Sequence, residues 1–340
     1  MTKYRISVFK ILEILGINAL FRFLNRNKVL ILWYHGICDD DFNLLSGYDE
    51  RHIQKSRFRE QLSYLKQKGY VFYTMSEMID ILQNKKKIKR ICVLTFDDGY
   101  RNVVTNAYPI MREFNSKGCF YLVSSVIESN KLLWTDFVET VVRNSDNGNF
   151  EFNFKENKIC YSLSDKESYE DAIQDIKNKL RILPDKERIK HLKQFDISKS
   201  IDFPKEFILA NWKEILRLDF NILEIGSHTK THPNLTKLSS TREFEEEIKN
   251  SKAEIEKMIG YKIKHFCYPA GDYNEEIIER IKDYGYKSAV TISHGFNDES
   301  TNLYSLQRIE SKEDFFEFKS AISGSFLAMY RIKEIFRRNK

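Results

Sequence analysis

The 340-residue sequence has no uninterrupted apolar stretch long enough for a transmembrane helix, and no small-residue cleavage site follows a secretory-type apolar core. A membrane-spanning fold and export by a conventional signal are therefore not expected. Its five cysteines, Cys38, Cys92, Cys119, Cys160 and Cys267, lack any paired short spacing, and three of them sit within or beside apolar runs. They read as small, reduced side chains, which points to a cytoplasmic protein. Charge of one sign is not in large excess: 55 Lys and Arg stand against 49 Asp and Glu, interspersed, for a net +6. No general nucleic-acid surface follows from that balance. Internal repeats and low-complexity tracts are also missing.

Both ends carry a recognisable pattern instead. Residues 1–28 place Lys3, Arg5, Lys10, Arg22, Arg26 and Lys28 among apolar residues such as Ile6, Phe9, Leu12, Leu15 and Phe23. Residues 311–340 repeat the theme, with Phe326, Leu327, Met329, Tyr330, Ile332, Ile335 and Phe336 among Arg331, Lys333, Arg337, Arg338 and Lys340. Each end fits either a basic amphipathic helix resting on the anionic inner face of a membrane or a helix packed on the catalytic domain with a solvated basic face.

Between the ends, short apolar runs alternate with helical patterns. Strands are expected at Val29–Tyr34, Ile91–Phe96, Cys119–Ser124, Ile222–Ser227, His265–Tyr268 and Tyr286–Ile292. One well-marked helix is expected from Glu243 to Ile259, with Ser240 and Glu243 at capping-box spacing and Gly260 as its stop. This alternation argues for an α/β fold with parallel strands, spanning residues 29–310 as one catalytic domain. From about residue 141 to 213 the rhythm breaks into a polar stretch with a hairpin and a charged helical segment. That stretch reads as a partly helical insertion over the catalytic face, either holding substrate or acting as a solvated lid.

Three separated segments carry the chemistry: LTFDDGY (Leu94–Tyr100), IGSHTKTHP (Ile225–Pro233) and FCYPAGDY (Phe266–Tyr273). Asp97 and Asp98 end an apolar strand before Gly99, so they emerge at the C-terminal edge of a parallel sheet, where α/β active sites are built. Adjacent carboxylates at a strand end point in different directions, so one can bind metal while the other faces substrate. Asp-Asp-Gly alone also makes an ordinary turn. His228 and His232, four residues apart, change that balance, since two imidazoles and a carboxylate oxygen suit zinc or a similar divalent metal. Asp98, His228 and His232 as ligands leave a position for water, whose pKa such a metal lowers to about 7. Asp97 then remains as general base.

With these residues in place the chain resembles the polysaccharide deacetylase family, also called carbohydrate esterase family four. Its first motif is similar to Thr95-Phe96-Asp97-Asp98-Gly99 and its second to Ser227-His228-Thr229 followed by His232-Pro233. The resemblance covers about residues 28 to 310. It implies a distorted (β/α) barrel that removes acetyl groups from N-acetylated sugars, with Asp97 as base and Asp98, His228 and His232 as metal ligands. The family's third motif has an arginine that orients the base; Cys267 occupies the matching position, so Arg308 in LQRIE is the candidate replacement. Tyr268, Pro269 and Gly271 are expected to shape the pocket wall. The family's last motif, a strand ending in Leu-x-His that supplies the general acid, is similar to Leu32-Trp33-Tyr34-His35 at the front of this chain, which nominates His35; His294 in SHGFN is the alternative. Trp33, Trp134 and Tyr268 are candidates to stack on a sugar.

The expected function is metal-dependent removal of N-acetyl groups from a sugar in a surface polysaccharide or glycoconjugate. Two other readings stay open: a catalytically silent carbohydrate-binding protein on the same fold, motivated by Cys267, and a metal-dependent amidase or esterase acting on a non-sugar acyl group.

Overall fold

A computed structural model of the chain describes residues 2–42, 51–128, 132–145, 148–195 and 203–329. Seven parallel strands close into a barrel: β1 (Val29–Tyr34), β2 (Ile91–Phe96), β3 (Gly118–Leu122), β4 (Leu223–Ser227), β5 (His265–Cys267), β6 (Ser288–His294) and β7 (Leu306–Glu310). Around the barrel the order is β1-β7-β6-β5-β4-β3-β2, and β1 closes the ring by pairing with β2 in register from Val29↔Ile91 to Tyr34↔Phe96. A two-residue strand, Val71–Phe72, adds a flank to β2. Every residue of β2 and all but Trp33 of β1 are buried, as expected where both faces of a parallel strand are covered.

Strand periodicity divides these residues between two cores. Val29, Ile31, Val93, Cys119, Tyr121, Cys267, Val290 and Leu306 pack together, with the helix Met75–Gln83 contributing Met75, Met78 and Leu82. That helix starts cleanly, because Thr74 and Glu77 form a reciprocal capping box. The intervening residues Leu30, Leu32, Leu94, Phe96, Phe120 and Leu122 pack instead with Phe58, Leu62 and Leu65 of the helix Lys55–Gln67. Continuing the first set by two residues per strand places Trp33, Thr95, Asp97 and Arg308 above the apolar layer, where the site forms.

The helix expected from Glu243 to Ile259 is interrupted. Thr241–Phe244 and Ser251–Ile259 are α-helical, but Glu245–Asn250 between them is a π-helix, and Gly260 closes the run with φ +78°. Such a widened turn shifts the side chains that follow it relative to a regular helix. Here it accompanies Glu247 turning inward to the loop after β4.

The insertion also differs from its expected bounds. A third apolar cluster gathers Trp134, Val138, Val142, Phe152, Ile173, Ile176, Leu180 and Phe195, so the unit begins with the helix Trp134–Arg143 rather than at residue 141. Leu209, Ala210 and Trp212 already belong to the barrel's core, so it ends before residue 213. It is not a polar lid. The apolar stripe of Trp134–Arg143 buries against helix Lys166–Arg181, with the hairpin Gly148–Phe154/Asn157–Leu163 and the helix Asp185–Leu192 completing the unit.

At the N-terminus, helices Thr2–Ile14 and Ile17–Leu24 meet at Gly16, whose φ of +72° makes the corner. Phe9, Leu12, Asn18 and Arg22 are buried; Phe9 and Asn18 meet the turn after the helix Phe315–Ser323, and the Arg22 guanidinium lies 5.5 Å from the Tyr64 ring. Phe9 lies 5.7 Å from Phe326, Ser325 Oγ donates to Asn18 Oδ1 at 2.7 Å, and Asn25 Nδ2 donates to the Ser323 carbonyl at 2.9 Å. The basic stretch expected from Tyr330 to Lys340 lies outside the described residues.

Candidate active site

On one rim of the barrel the ends of β1, β2 and β4 bring His35, Asp97, Asp98, His228 and His232 into a single cluster. Because β1 and β2 run in register, His35 and Asp97 leave them side by side, and the Asp97 amide donates to the Tyr34 carbonyl at 3.0 Å. Asp98 follows with φ +77° and Gly99 with φ +99°, a sharp exit that turns the second carboxylate across the rim. Thr229 and His232 in the loop after β4 also adopt positive φ, +70° and +58°. Left-handed conformations cost non-glycine residues roughly 1–3 kcal/mol each, and they persist where surrounding contacts enforce them.

Those contacts are specific. Thr229 Oγ1 accepts from the His232 amide at 3.0 Å, and Glu247 accepts from the amides of Lys230 and Thr231 and from the Thr231 hydroxyl. From the insertion, Arg188 Nη2 donates to the Thr231 carbonyl at 3.1 Å and to its hydroxyl at 3.0 Å, and Trp134 Nε1 donates to the His232 carbonyl at 3.1 Å. Arg188 is fully buried, with its guanidinium 5.0 Å from the Trp134 ring. The insertion thus grips the loop that carries both histidines.

The carboxylate of Asp98 faces three imidazoles. Its Oδ1 lies 3.4 Å from His228 Nε2 and 3.6 Å from His232 Nε2, and its Oδ2 lies 3.9 Å from His35 Nε2. Buried Asp98 Oδ1 has no hydrogen-bond partner among the described residues. His228 Nδ1 donates to the Cys267 carbonyl at 2.8 Å, which leaves Nε2 as the ring nitrogen that faces Asp98. Burial pushes the Asp98 pKa upward, but His228, His232 and His35 outweigh it and hold the carboxyl well below the usual range. Burial lowers His232 to about 3, so its imidazole is neutral at neutral pH. A lone anionic oxygen, short of a donor and faced by two Nε2 atoms, fits a divalent cation.

Ligand atoms of Asp97, His228 and Cys267 also come within 4.8 Å of one another. They fit an ion less well, because both Asp97 oxygens are engaged: Arg308 Nη1 donates to Oδ1 and Nη2 to Oδ2, each at 2.8 Å. Arg308 is fully buried, and its remaining N–H groups reach the Thr291 carbonyl, Thr95 Oγ1 and Cys267 Sγ, so all five donors are used. Burial would raise the Asp97 pKa, yet the Arg308 charge and hydrogen bonds bring it below the ordinary value. The guanidinium rises from the middle of β7, not from the end of β5, where Cys267 accepts from it.

Of the residues expected to touch substrate, two are placed otherwise. Trp134 is buried with its indole N–H committed to the His232 carbonyl, so it braces the loop that carries both histidines and its ring is not open to a sugar. Tyr268 is fully buried, stacked on Tyr273 at 4.9 Å, with its hydroxyl donating to the Tyr304 carbonyl. Pro269 and Gly271 form a tight turn with Tyr268 just before it; a Cβ at Gly271 would sit 2.4 Å from Ile292 Cγ1, so that glycine serves close packing. Trp33 is half-buried, edge-on to His35 at 5.2 Å and 5.4 Å from the Arg308 guanidinium. His294 is exposed and feels Glu310 and Lys312, away from the Asp98 cluster that His35 joins.

Residues that sequence reasoning did not single out complete the surroundings. Arg51 lies 3.9 Å from Asp98, donates to Asp136 at 2.7 Å and stands 3.5 Å from Glu139. Tyr100 donates to the other Asp136 oxygen at 2.8 Å, and Lys177 pairs with Glu139 at 2.7 Å. Through this buried chain the insertion is wired to the catalytic rim. Nothing in the local sequence around Arg51, Arg188 or Glu247 marks them, since each sits among other charged residues.

A closed parallel barrel with paired aspartates and paired histidines on one rim defines a hydrolase of the deacetylase type. The chain belongs to the polysaccharide deacetylase family, whose family model matches residues 84–181 and 185–289. Its relatives include YxkH of Bacillus subtilis (strain 168), a protein that carries the family's name, at 22% identity over 283 residues, covering 83% of this chain and 71% of that one. A poly-beta-1,6-N-acetyl-D-glucosamine N-deacetylase of Staphylococcus epidermidis is 28% identical over 112 residues, 31% of this chain and 39% of the relative. Among solved structures, the Streptococcus pyogenes deacetylase PplD in complex with acetate superposes with a TM-score of 0.58 at 19% identity, covering 86% of this chain and 96% of that one.

Proposed function

We propose that this enzyme is a metal-dependent N-deacetylase that removes acetyl groups from an N-acetylhexosamine in a cell-surface polysaccharide or glycoconjugate. The observation that carries the reading is the pairing of two differently used carboxylates: Asp97 clamped by Arg308, and Asp98 with its Oδ1 turned to two imidazole Nε2 atoms. Asp98, His228 and His232 would hold the ion, and zinc suits that donor set. When bound, a divalent ion acidifies water and polarises an acyl carbonyl.

The chain's own residues supply the rest. Asp97, kept ionised by Arg308, accepts the proton of the attacking water. His35, beside Asp98 and braced edge-on by Trp33, gives a proton to the departing nitrogen, a transfer typically worth roughly 10²- to 10⁴-fold. Trp33 is the aromatic wall best placed for a sugar ring, and the named activity of the Staphylococcus relative supports an N-acetylglucosamine substrate. The intact pair of aspartates and pair of histidines counts against a silent carbohydrate-binding role.

The test is acetate release from N-acetylglucosamine oligomers, including β-1,6-linked ones, and from lipid-linked N-acetylated sugars. Release should stop with chelator and return with zinc. Stoichiometric zinc binding with no acetate released from any of these would overturn the sugar deacetylase reading.

A further inference from the structure

Half of the exposed large apolar side chains among the described residues fall within residues 8–24. They are not scattered. Along helix Thr2–Ile14 and the turn just after it, Val8, Ile11 and Leu15 follow i, i+3, i+7 spacing; in helix Ile17–Leu24, Leu20, Phe23 and Leu24 follow i, i+3, i+4. The inward faces hold Phe9, Leu12, Asn18 and Arg22, buried against the rest of the protein through Phe326, Ser325 and Tyr64. The inner side of each short helix is therefore partnered, while its outer side is apolar and bare. Ile14 and Leu15 beside the Gly16 corner are 72% and 67% exposed. A contiguous patch of this kind marks a docking surface.

Charge specifies the partner. Among residues 8–28 Glu13 is the one acidic residue, and it is turned inward, accepting from Asn18 at 2.8 Å and lying 3.8 Å from both Arg22 and Lys319. Lys28 is exposed, and Arg26 lies over the outward Phe23 ring at 3.8 Å, while the ammonium of Lys10 leans toward the Phe316 ring at 6.0 Å. Apolar side chains flanked by long basic ones, with no outward acid, match the depth profile of an anionic phospholipid surface. No helix among the described residues is long and apolar enough to cross a membrane, so the pair would lie in the interface.

We propose that the N-terminal helix pair docks this enzyme on an anionic lipid bilayer, inserting Ile11, Ile14, Leu15, Leu20, Phe23 and Leu24 while Arg26 and Lys28 meet the headgroups. The experiment is co-sedimentation of the full-length protein with vesicles of phosphatidylglycerol and phosphatidylcholine in equal parts, and with phosphatidylcholine alone. Binding to the anionic vesicles should be at least tenfold tighter and should weaken in 0.5 M salt, as surface electrostatics do. The variant Leu15→Glu/Leu20→Glu/Phe23→Glu should lose vesicle binding at least tenfold while its thermal unfolding and turnover of a soluble substrate stay unchanged. Unchanged binding by the variant, or no binding by the native chain, would overturn the proposal. A native dimer that the variant dissolves would also overturn it, by assigning the patch to a second copy. Vesicle binding is read without turnover, so failure here leaves the deacetylase reading standing and the converse also holds.

Discussion

Arg308 and Asp97 form a two-point clamp, with both guanidinium nitrogens 2.8 Å from their own carboxylate oxygen, in a chain where the two residues are 211 positions apart. Planarity and fork geometry make this interaction specific to arginine.

Arg308→Lys should therefore keep a positive charge but lose the fork. Turnover should fall by roughly 10²-fold with metal content unchanged, because a base held at one point samples unproductive orientations. The Asp97 pKa, held low by Arg308, should rise, so the acid limb of the pH–rate profile moves to higher pH. A profile that does not move would mean that Arg308 only supports the fold.

Asp97→Asn removes the base and leaves the Asp98 cluster untouched. Turnover should drop by about 10²- to 10⁴-fold, while zinc titration followed by calorimetry still gives one site. Loss of the metal together with activity would assign Asp97 to the ion instead.

Arg188→Met tests the grip of the insertion on the histidine loop. Losing the bonds to the Thr231 carbonyl and hydroxyl should let the strained loop relax and weaken zinc binding about tenfold, the lower end of what outer contacts to metal ligands contribute. A chelator-competition titration measures this, and the visible spectrum of the cobalt-substituted protein should change with it. A cobalt spectrum identical to that of the native protein would reduce Arg188 to a core-packing residue.

Glu139 gives a pH dependence with a definite sign. Burial raises its pKa, but Lys177 and Arg51 outweigh burial and bring it to about 2 from an ordinary 4.5. Its folded value is the depressed one, so its contribution is complete above about pH 4.5 and drains away as pH falls toward 2. The shift corresponds to about 3 kcal/mol. Denaturant unfolding of Glu139→Gln should show a stability deficit at pH 6 that shrinks toward pH 2.5; a constant deficit would refute the assignment.

How much of this was legible depends on what each residue's role rests on. Strands β1 and β2 announce themselves as uninterrupted apolar runs, VLILWY and ICVLTF, because parallel strands are buried on both faces. The aspartate and histidine pairs are readable because spacing alone brings them to one rim. Trp134 and Tyr268 were expected to meet a sugar since both are large aromatics near motifs, yet their polar atoms found internal partners, and only the fold decides which side of a ring faces out. Arg188 and Glu247 lie in the charged runs DKERIKHL and EFEEEIKN, where no period distinguishes a buried ion from a solvated one. The left-handed backbone at Asp98, Thr229 and His232 is imposed by distant contacts, and the π-turn that accompanies the inward Glu247 overrides a local pattern that reads as one regular helix.

The closure of β1 on both β2 and β7 has a consequence for the order in which the protein is made. Asp97 is translated after only β1 and β2, and the arginine that clamps it arrives last, with β7, after residue 305. A growing chain held on the ribosome short of that point has a gap in its wall and a naked anion where the barrel must become dry. Closing the barrel and clamping the base thus depend on the same strand, so a product truncated before β7 lacks both.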